Sequence, residues 1–526
     1  MEEQRMDRRW WESATLYQLY VRSWRDSDGD GYGDLRGIID NLDYLEWLGI
    51  DGIWLSPTMP SPDKDWGYDV SDYLSVHPDL GSLDDLDALV SAAGDRGMRV
   101  LLDLVPNHTS TEHPWFIESA SSRQNGKRDY YVWADAAPGG GPPNNWVDFT
   151  GAPAWQWHEA TGQYYLHNFL VEQADLNWWD PAVHQEFAQI LRFWFDRGIA
   201  GFRIDVAHGL YKDALLRDNP PADGDGPLAG RFGFRAEYNE NRPEVHALYR
   251  DWRSIADSYE PPRLLLGETW VGDIARLASF YGSDDELQLA FNFPLIFARF
   301  DADDLASVVD RTLAALPAGG CPVWTASNHD IDRFPSRWCG GDQAKIKLAL
   351  LVLTTLPGTL VLYYGDEIGM TSVTIPPEAS RDTFGGTSAR PSRDRARTPM
   401  QWDGSATAGF TSPGVVSWLP VGEPAGCNVA AQRDDPASVL TLCRELLRLR
   451  RERVAQASPR YERLAAPSGV WRYAAGAVEV AANFTGQPAT LPDPPDGQVL
   501  VSTGDCGKAE RAVLAPWQGV IFARAR

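Results

Sequence analysis

Eight apolar runs of strand length, separated by segments of helical spacing, constrain this chain more than any other feature. They are LYQLYV (16–21), DGIWLSP (51–57), RVLLDLVP (99–106), GFRIDV (201–206), RLLLGE (263–268), LQLAFNF (287–293), VWTASN (323–328) and LVLYYGDE (360–367). Stretches between them, such as IIDNLDYLEWLG, repeat apolar residues at three- and four-residue steps, the period of a helix buried on one face. Near-continuous apolar strands alternating with helices imply a parallel sheet covered on its outer side. Eight such units predict an α/β fold, a closed (β/α)8 TIM barrel.

Three connections are too long to be plain linkers. About seventy residues after the third run (107–177), rich in Gly, Pro, Asn and aromatics, are expected to form a small inserted domain. The barrel is therefore expected in two parts, 1–106 and 178–458. A polar loop containing NPPADGDGP (219–227) follows the fourth run, and an Arg-, Pro- and Gly-rich stretch (369–435) follows the eighth. Such loops at the strand C-terminal ends build a barrel's active site. A last helix is expected to open with Asp435 as N-cap and Pro436 in first position, burying Leu440, Cys443, Leu446 and Leu447. Beyond it, short runs such as VEVAANF (478–484) and GVIFARA (519–525) predict a C-terminal antiparallel β-sandwich domain at 459–526.

A net charge of −25 argues against a nucleic-acid partner, because phosphate binding needs a basic footprint. It suits a neutral ligand. Indole faces stack on the apolar faces of sugars, and many of the 22 tryptophans fall in loop-like stretches: Trp66, Trp133, Trp146, Trp155, Trp157, Trp178 and Trp179. They serve either a carbohydrate cleft or simply the core of a large protein. Cys321, Cys339, Cys427, Cys443 and Cys506 show no metal-type spacing, which favours free thiols in a reducing compartment. The N-terminal MEEQRMDRRWWES has no apolar signal region. The uncharged stretch Leu348 to Gly365 is split by Pro357 and Gly358 into a helix end and a strand. A cytoplasmic protein without a membrane partner, monomer or homodimer, is the expectation.

Three of the apolar runs lead straight into an acidic residue: Asp205 in GFRIDVAHG, Glu268 in LLLGETW and Asp330 in WTASNHD. In a parallel barrel the strand C-termini converge on one face, so these residues can surround one substrate. Two convergent carboxyls are the minimum equipment for cleaving a glycosidic bond.

The chain resembles glycoside hydrolase family 13, the α-amylase family. DLVPNH (103–108), GFRIDVAH (201–208), GETW (267–270) and SNHD (327–330) look like that family's four short regions, in order, at the third, fourth, fifth and seventh strands. QADLNW (173–178) resembles a further region of its oligo-1,6-glucosidase and α-glucosidase branch. The resemblance implies a retaining reaction with Asp205 as nucleophile, Glu268 as general acid and then base, and Asp330 holding the sugar's 2- and 3-hydroxyls. The two reacting carboxyls are then expected roughly 5–5.5 Å apart, with Glu268 protonated while Asp205, paired with Arg203, stays ionised. His108 and His329 resemble the family histidines that bond the sugar hydroxyls, whereas His208 reads as structural or outer-subsite.

GYDVSDY (67–73) resembles the segment that recognises the 4-hydroxyl at a non-reducing end, with Asp69 as the matching acid and Tyr68 as stacking platform. RARTPMQW (395–402) resembles a motif whose arginine pairs with that acid; Arg397 is the match. Such a pair would admit terminal glucose alone. Phe149 and Phe169 complete the expected substrate-binding set. Asp26, Asp28, Asp30, Tyr32 and Asp34 space oxygen ligands at alternate positions, as a calcium loop requires; the family often carries structural Ca2+ here, and no organic cofactor is implied. Val206, after the nucleophile, goes with α-1,6 bonds in the related branch, but Ala207-His208-Gly209 leans to α-1,4. The reading is an exo-acting α-glucosidase for short oligosaccharides or α-glucosides. Its alternatives are a transglucosylase or trehalose-synthase-like isomerase sharing the same intermediate, and a non-catalytic binding subunit.

Overall fold

All eight apolar runs form strands, and the strands pair in parallel around a ring. They are β1 (Thr15–Leu19), β2 (Gly52–Leu55), β3 (Arg99–Leu104), β4 (Gly201–Ile204), β5 (Leu264–Gly267), β6 (Leu289–Ala290), β7 (Val323–Trp324) and β8 (Thr359–Tyr363). Hydrogen bonding follows the order β6-β5-β4-β3-β2-β1-β8-β7, and a parallel bridge between Phe291 and Val323 joins the two ends. The computed structural model describes residues 9–222, 232–385, 392–455, 461–504 and 512–524.

Strand periodicity sorts the apolar residues onto two faces. Leu16, Trp54, Leu101, Leu264, Leu266, Phe291, Val323 and Val361 pack together inside the barrel, with Trp10 and Trp11 against them. Their neighbours, among them Tyr17, Ile53, Leu102, Phe202, Leu265 and Leu362, join the core under the outer helices. The lumen is thus filled with side chains rather than left as a channel. Gly201 allows close strand packing, since a Cβ there would lie 2.4 Å from the Leu264 carbonyl oxygen.

The helical stretch IIDNLDYLEWLG is two helices, Leu35–Ile39 and Leu42–Leu48, each buried on one side. The uncharged Leu348–Gly365 stretch is the end of a helix, Gln343–Thr355, followed by β8. No helix among the described residues is long and apolar enough to cross a membrane.

After β3, residues 107–177 carry a three-stranded antiparallel sheet built from Trp133–Ala134, Trp155–His158 and Gln163–Leu166, while His108–Ser110 pairs with Gln173–Asp175. Two further loops, after β4 and β8, cover the same end of the barrel, and part of each (223–231 and 386–391) lies outside the described residues. The last helix begins at Val439, three residues after Pro436. Ser438 caps it by accepting the Thr441 N–H, while Asp435 accepts from Ala437 in the preceding turn. Its predicted apolar face is buried as expected. The C-terminal region holds a five-stranded antiparallel sheet and a two-stranded one. Cys321, Cys339, Cys427 and Cys443 are free thiols, and Cys506 lies outside the described residues.

Candidate active site

Asp205 and Glu268 directly follow β4 and β5, and Asp330 lies in the turn beyond β7; all three line one cavity of about 420 Å³. Strand register explains the centre of the group. Arg203 stands opposite Asp103 in the β3–β4 pairing, so both side chains leave the same side of the sheet. Arg203 Nη1 reaches Asp103 at 2.9 Å and Asp205 at 2.6 Å, and its Nη2 reaches Glu268 at 2.5 Å. One guanidinium fork therefore holds the two expected reacting carboxyls side by side.

A single arginine cannot neutralise three buried carboxylates. Burial raises Asp205 well above the usual carboxylate range, and Glu268 and Asp103 raise it further against the pull of Arg203. Asp103 is pushed up to about 7, again by burial first. Arg203 makes the expected ion pair with Asp205 but is shared among three carboxylates. The like charges act on Asp205 itself, because Arg203 is shared three ways. Three buried carboxylates around one cation favour a proton on the cluster, and glycoside cleavage needs one for its leaving oxygen.

Asp330 is the opposite case. Burial works against its ionisation, but the guanidiniums of Arg393 (3.3 Å) and Arg397 (3.0 Å) outweigh it and hold it below the usual range, with His329 at 3.1 Å beside it. Burial keeps His329 neutral. Gln18 Nε2 lies 2.8 Å from its Nδ1, which leaves Nε2 to carry the proton, 2.6 Å from Tyr68 Oη. The Tyr68 ring lies parallel to His329, 5.3 Å between centroids, and its hydroxyl donates to Asp103 at 3.0 Å. His108 also lines the cavity, pushed down to about 4 by burial, with Asn107 against its Nδ1 at 3.1 Å. Phe149 and Phe169 stack at 4.3 Å on the wall beside it.

The expected Asp69–Arg397 pair does not form. Asp69 is fully buried away from the cavity and accepts hydrogen bonds from Ser61 Oγ and from the N–H groups of Lys64 and Asp65, so it braces its own loop. Arg397 donates to the His329 carbonyl and to Asp330 from beneath. The ion pair on the cavity wall is Asp65–Arg393, at 2.7 Å, and Arg393 also pairs with Asp382 at 2.7 Å. Spacing alone did not separate Arg393 from Arg390, Arg395 and Arg397 in the run RPSRDRAR. None of the seven loop tryptophans lines the cavity: Trp146 and Trp178 are core, and Trp157 and Trp179 are exposed elsewhere. The indole at the site is Trp270, for which the signal was its place two residues after Glu268. His208 lines the cavity too.

In the acidic loop, carboxylate oxygens of Asp26, Asp28 and Asp34 all lie within 4.8 Å of one another. Asp26 receives the N–H groups of Gly29 (2.6 Å) and Gly31 (2.8 Å), and Asp34 receives that of Gly37 (2.7 Å). The Asp30 carboxylate is outside this trio and accepts from Tyr32 N. Burial and its acidic neighbours raise Asp30. These hard oxygen donors fit a calcium ion in character. A second acidic group, Asp63, His77 and Asp79, already contains a cation: Arg22 lies 2.8 Å from Asp63 and 3.7 Å from Asp79.

Residues 18–457 match the family model of the α-amylase catalytic domain. The chain belongs to the α-amylase family, glycoside hydrolase family 13, and is a glycoside hydrolase. It is 40% identical over 477 residues to a "Probable alpha-glucosidase" of Rhizobium meliloti (strain 1021), spanning 87% of this chain and 85% of the relative. It is 37% identical over 495 residues to an oligo-1,6-glucosidase of Heyndrickxia coagulans, spanning 86% and 87%. Among solved structures, an α-glucosyl transfer enzyme superposes with a TM-score of 0.90 at 37% identity, covering 98% of this chain and 99% of the other.

Proposed function

We propose that the protein is an exo-acting, retaining α-glucosidase that removes terminal, non-reducing α-linked glucose from short oligosaccharides or α-glucosides. The observation that carries this is the pair Asp205 and Glu268 on one arginine fork in a cavity of about 420 Å³, a volume suited to one or two sugar rings. Asp205 attacks C1 of the terminal glucose, and Glu268 gives its proton to the departing oxygen. Glu268 then takes a proton from water as water displaces Asp205. Asp330, held ionised by its arginines, accepts hydrogen bonds from the ring hydroxyls and faces the positive charge that grows at the anomeric centre.

Exo-action is supported by the Asp65–Arg393 pair, which ties the loop after β2 to the loop after β8 across the cavity wall. We assign the role expected of Asp69 and Arg397 to these two residues. For the bond cleaved, Val206 points to α-1,6 and Ala207-His208-Gly209 to α-1,4, and our reading leans to α-1,4. Calcium at Asp26, Asp28 and Asp34 would be structural, since their loop is built on β1 and carries no group that lines the cavity. The free thiols accord with a cytoplasmic location.

Transglucosylation is the second reading, favoured by the likeness to an α-glucosyl transfer enzyme. Proton NMR of a reaction with maltose tests both. The first sugar released should be α-glucose, and free glucose should dominate over longer oligosaccharides or trehalose. A first product of β configuration would overturn the retaining reaction, and accumulation of oligosaccharides would favour transfer.

A further inference from the structure

Glu268 is held by two N–H donors and one guanidinium, from three sources. Arg203 Nη2 lies 2.5 Å from Oε1, Trp270 Nε1 donates to the same oxygen at 3.1 Å, and the Val206 backbone N–H donates to Oε2 at 3.0 Å. The retaining reaction accounts for Arg203. It does not account for Trp270, whose indole is firmly placed. Its ring stacks on Phe293 at 4.2 Å with 25° between planes, Phe297 lies 5.7 Å away, and its main-chain N–H faces His208 Nδ1 at 3.4 Å.

We propose that Trp270 is a positioning residue for the acid–base: with Arg203 it fills Oε1, so that the transferable proton resides on Oε2. The inference rests on Glu268 being the acid–base of the proposed function. A carboxyl oxygen offers two lone-pair directions, and an indole N–H can donate but never accept. With an indole N–H and a guanidinium both against Oε1, a proton placed there would have to displace the indole or face the cation. Oε2 has a single N–H on it and keeps a free direction. That donor comes from Val206, whose φ of +46° is a costly conformation for a β-branched residue and is set by the turn that follows the nucleophile. The hydrogen bond from Trp270 favours the ionised carboxylate, which is the form required when Glu268 activates water.

Other charged groups face Glu268 from neighbouring elements: Arg203, Asp205 and Asp103 from β3 and β4, His208 from the following loop and Asp330 across the cavity. Trp270→Phe alters none of them. It keeps a ring against Phe293 and removes the N–H. The test is the pH profile of kcat/KM for Trp270→Phe and, as a control that retains the donor, for Phe293→Leu. Without the N–H, Glu268 holds its proton more tightly. The alkaline limb should then move up by roughly half to one pH unit, and should stay put in Phe293→Leu. Turnover of an alkyl α-glucoside should fall about tenfold more than turnover of α-glucosyl fluoride, whose leaving group needs little acid help. If Trp270→Phe proves unstable, replacing the Trp270 indole with benzothiophene, sulfur in place of N–H, asks the same question at constant shape. An unmoved alkaline limb with equal losses on both substrates would overturn the assignment and leave Trp270 as packing. Undiminished hydrolysis of the alkyl glucoside by Glu268→Gln would instead overturn the acid–base reading itself.

Discussion

Asp65 and Arg393, 328 residues apart, meet at 2.7 Å and join the loop after β2 to the loop after β8 across the cavity wall. Burial raises the Asp65 carboxyl above the usual range, against the pull of Arg393 and, behind it, Arg397. Arg393 touches Asp382 and Asp330 as well, so this pair connects the wall of the pocket to the carboxylate that faces the sugar.

Removing one partner of a buried charge pair costs about 2–5 kcal/mol, much of it from the charge left behind. Asp65→Asn is therefore expected to lower kcat/KM on maltose by on the order of 10²-fold. Asp69→Asn should act differently. It loosens the loop by weakening the acceptors of Lys64 N, Asp65 N and Ser61 Oγ, costing about 1–3 kcal/mol of stability. Its Tm should fall while its kcat/KM drops less than that of Asp65→Asn. Steady-state kinetics beside thermal melts check both, and the reverse ranking would restore Asp69 to the pocket.

The eight strands were readable because a strand buried on both faces is apolar throughout, and few other structures produce that pattern. Asp205, Glu268 and Asp330 were readable for a related reason: each is the first or nearly first acid beyond such a run. The pocket pair was not readable. Asp63 and Trp66 both have left-handed backbone, with φ of +59° and +50°, and that turn aims Asp65 at the cavity and Asp69 into the protein. No residue type in DKDWGYD announces this, since glycine stands only at 67. The last helix was placed three residues early because Asp435-Pro436 is a good start signal, yet Ser438 makes the capping bond. The proton balance of the site depends on Asp103 joining through strand register, which a one-dimensional reading does not supply.

Asp205→Ala should lower hydrolysis by on the order of 10⁴- to 10⁶-fold, because it removes the covalent route rather than weakening it. The vacated space beside Arg203 would admit a small anion. Added azide is expected to restore turnover of an activated α-glucoside, giving β-glucosyl azide, the inverted product. Mass spectrometry and NMR of the product check this. Rescue giving the α-azide would place the nucleophile elsewhere.

Calcium is expected to raise Tm without changing kcat, since the Asp26, Asp28 and Asp34 trio lines no part of the cavity. A ligand present at a hundred times its Kd stabilises by about 2.7 kcal/mol. Asp28→Asn should abolish the response to added Ca2+ while leaving the hydrogen bonds of Asp26 and Asp34 in place. Melts in chelator, with and without Ca2+ returned, measure it. Identical melting of wild type under both conditions would leave the loop as an acidic turn.

The shared arginine makes a prediction about pH. Burial and its carboxylate neighbours push Asp103 up to about 7, above its unfolded value, so the folded state binds this proton more tightly than the unfolded chain does. The stabilising contribution is complete below the unfolded pKa, near 4, and is lost as pH rises through about 7. Asp103→Asn mimics the protonated form permanently. It should flatten the fall of Tm between about pH 4 and pH 7 that this group causes in wild type. The same change removes one of the two like charges that raise Asp205, so the acidic limb of kcat/KM should move to lower pH. Arg203 would then serve Asp205 and Glu268 alone. A Tm profile and an acidic limb both unchanged by Asp103→Asn would mean that Asp103 stays protonated across the working range and places no charge beside Asp205.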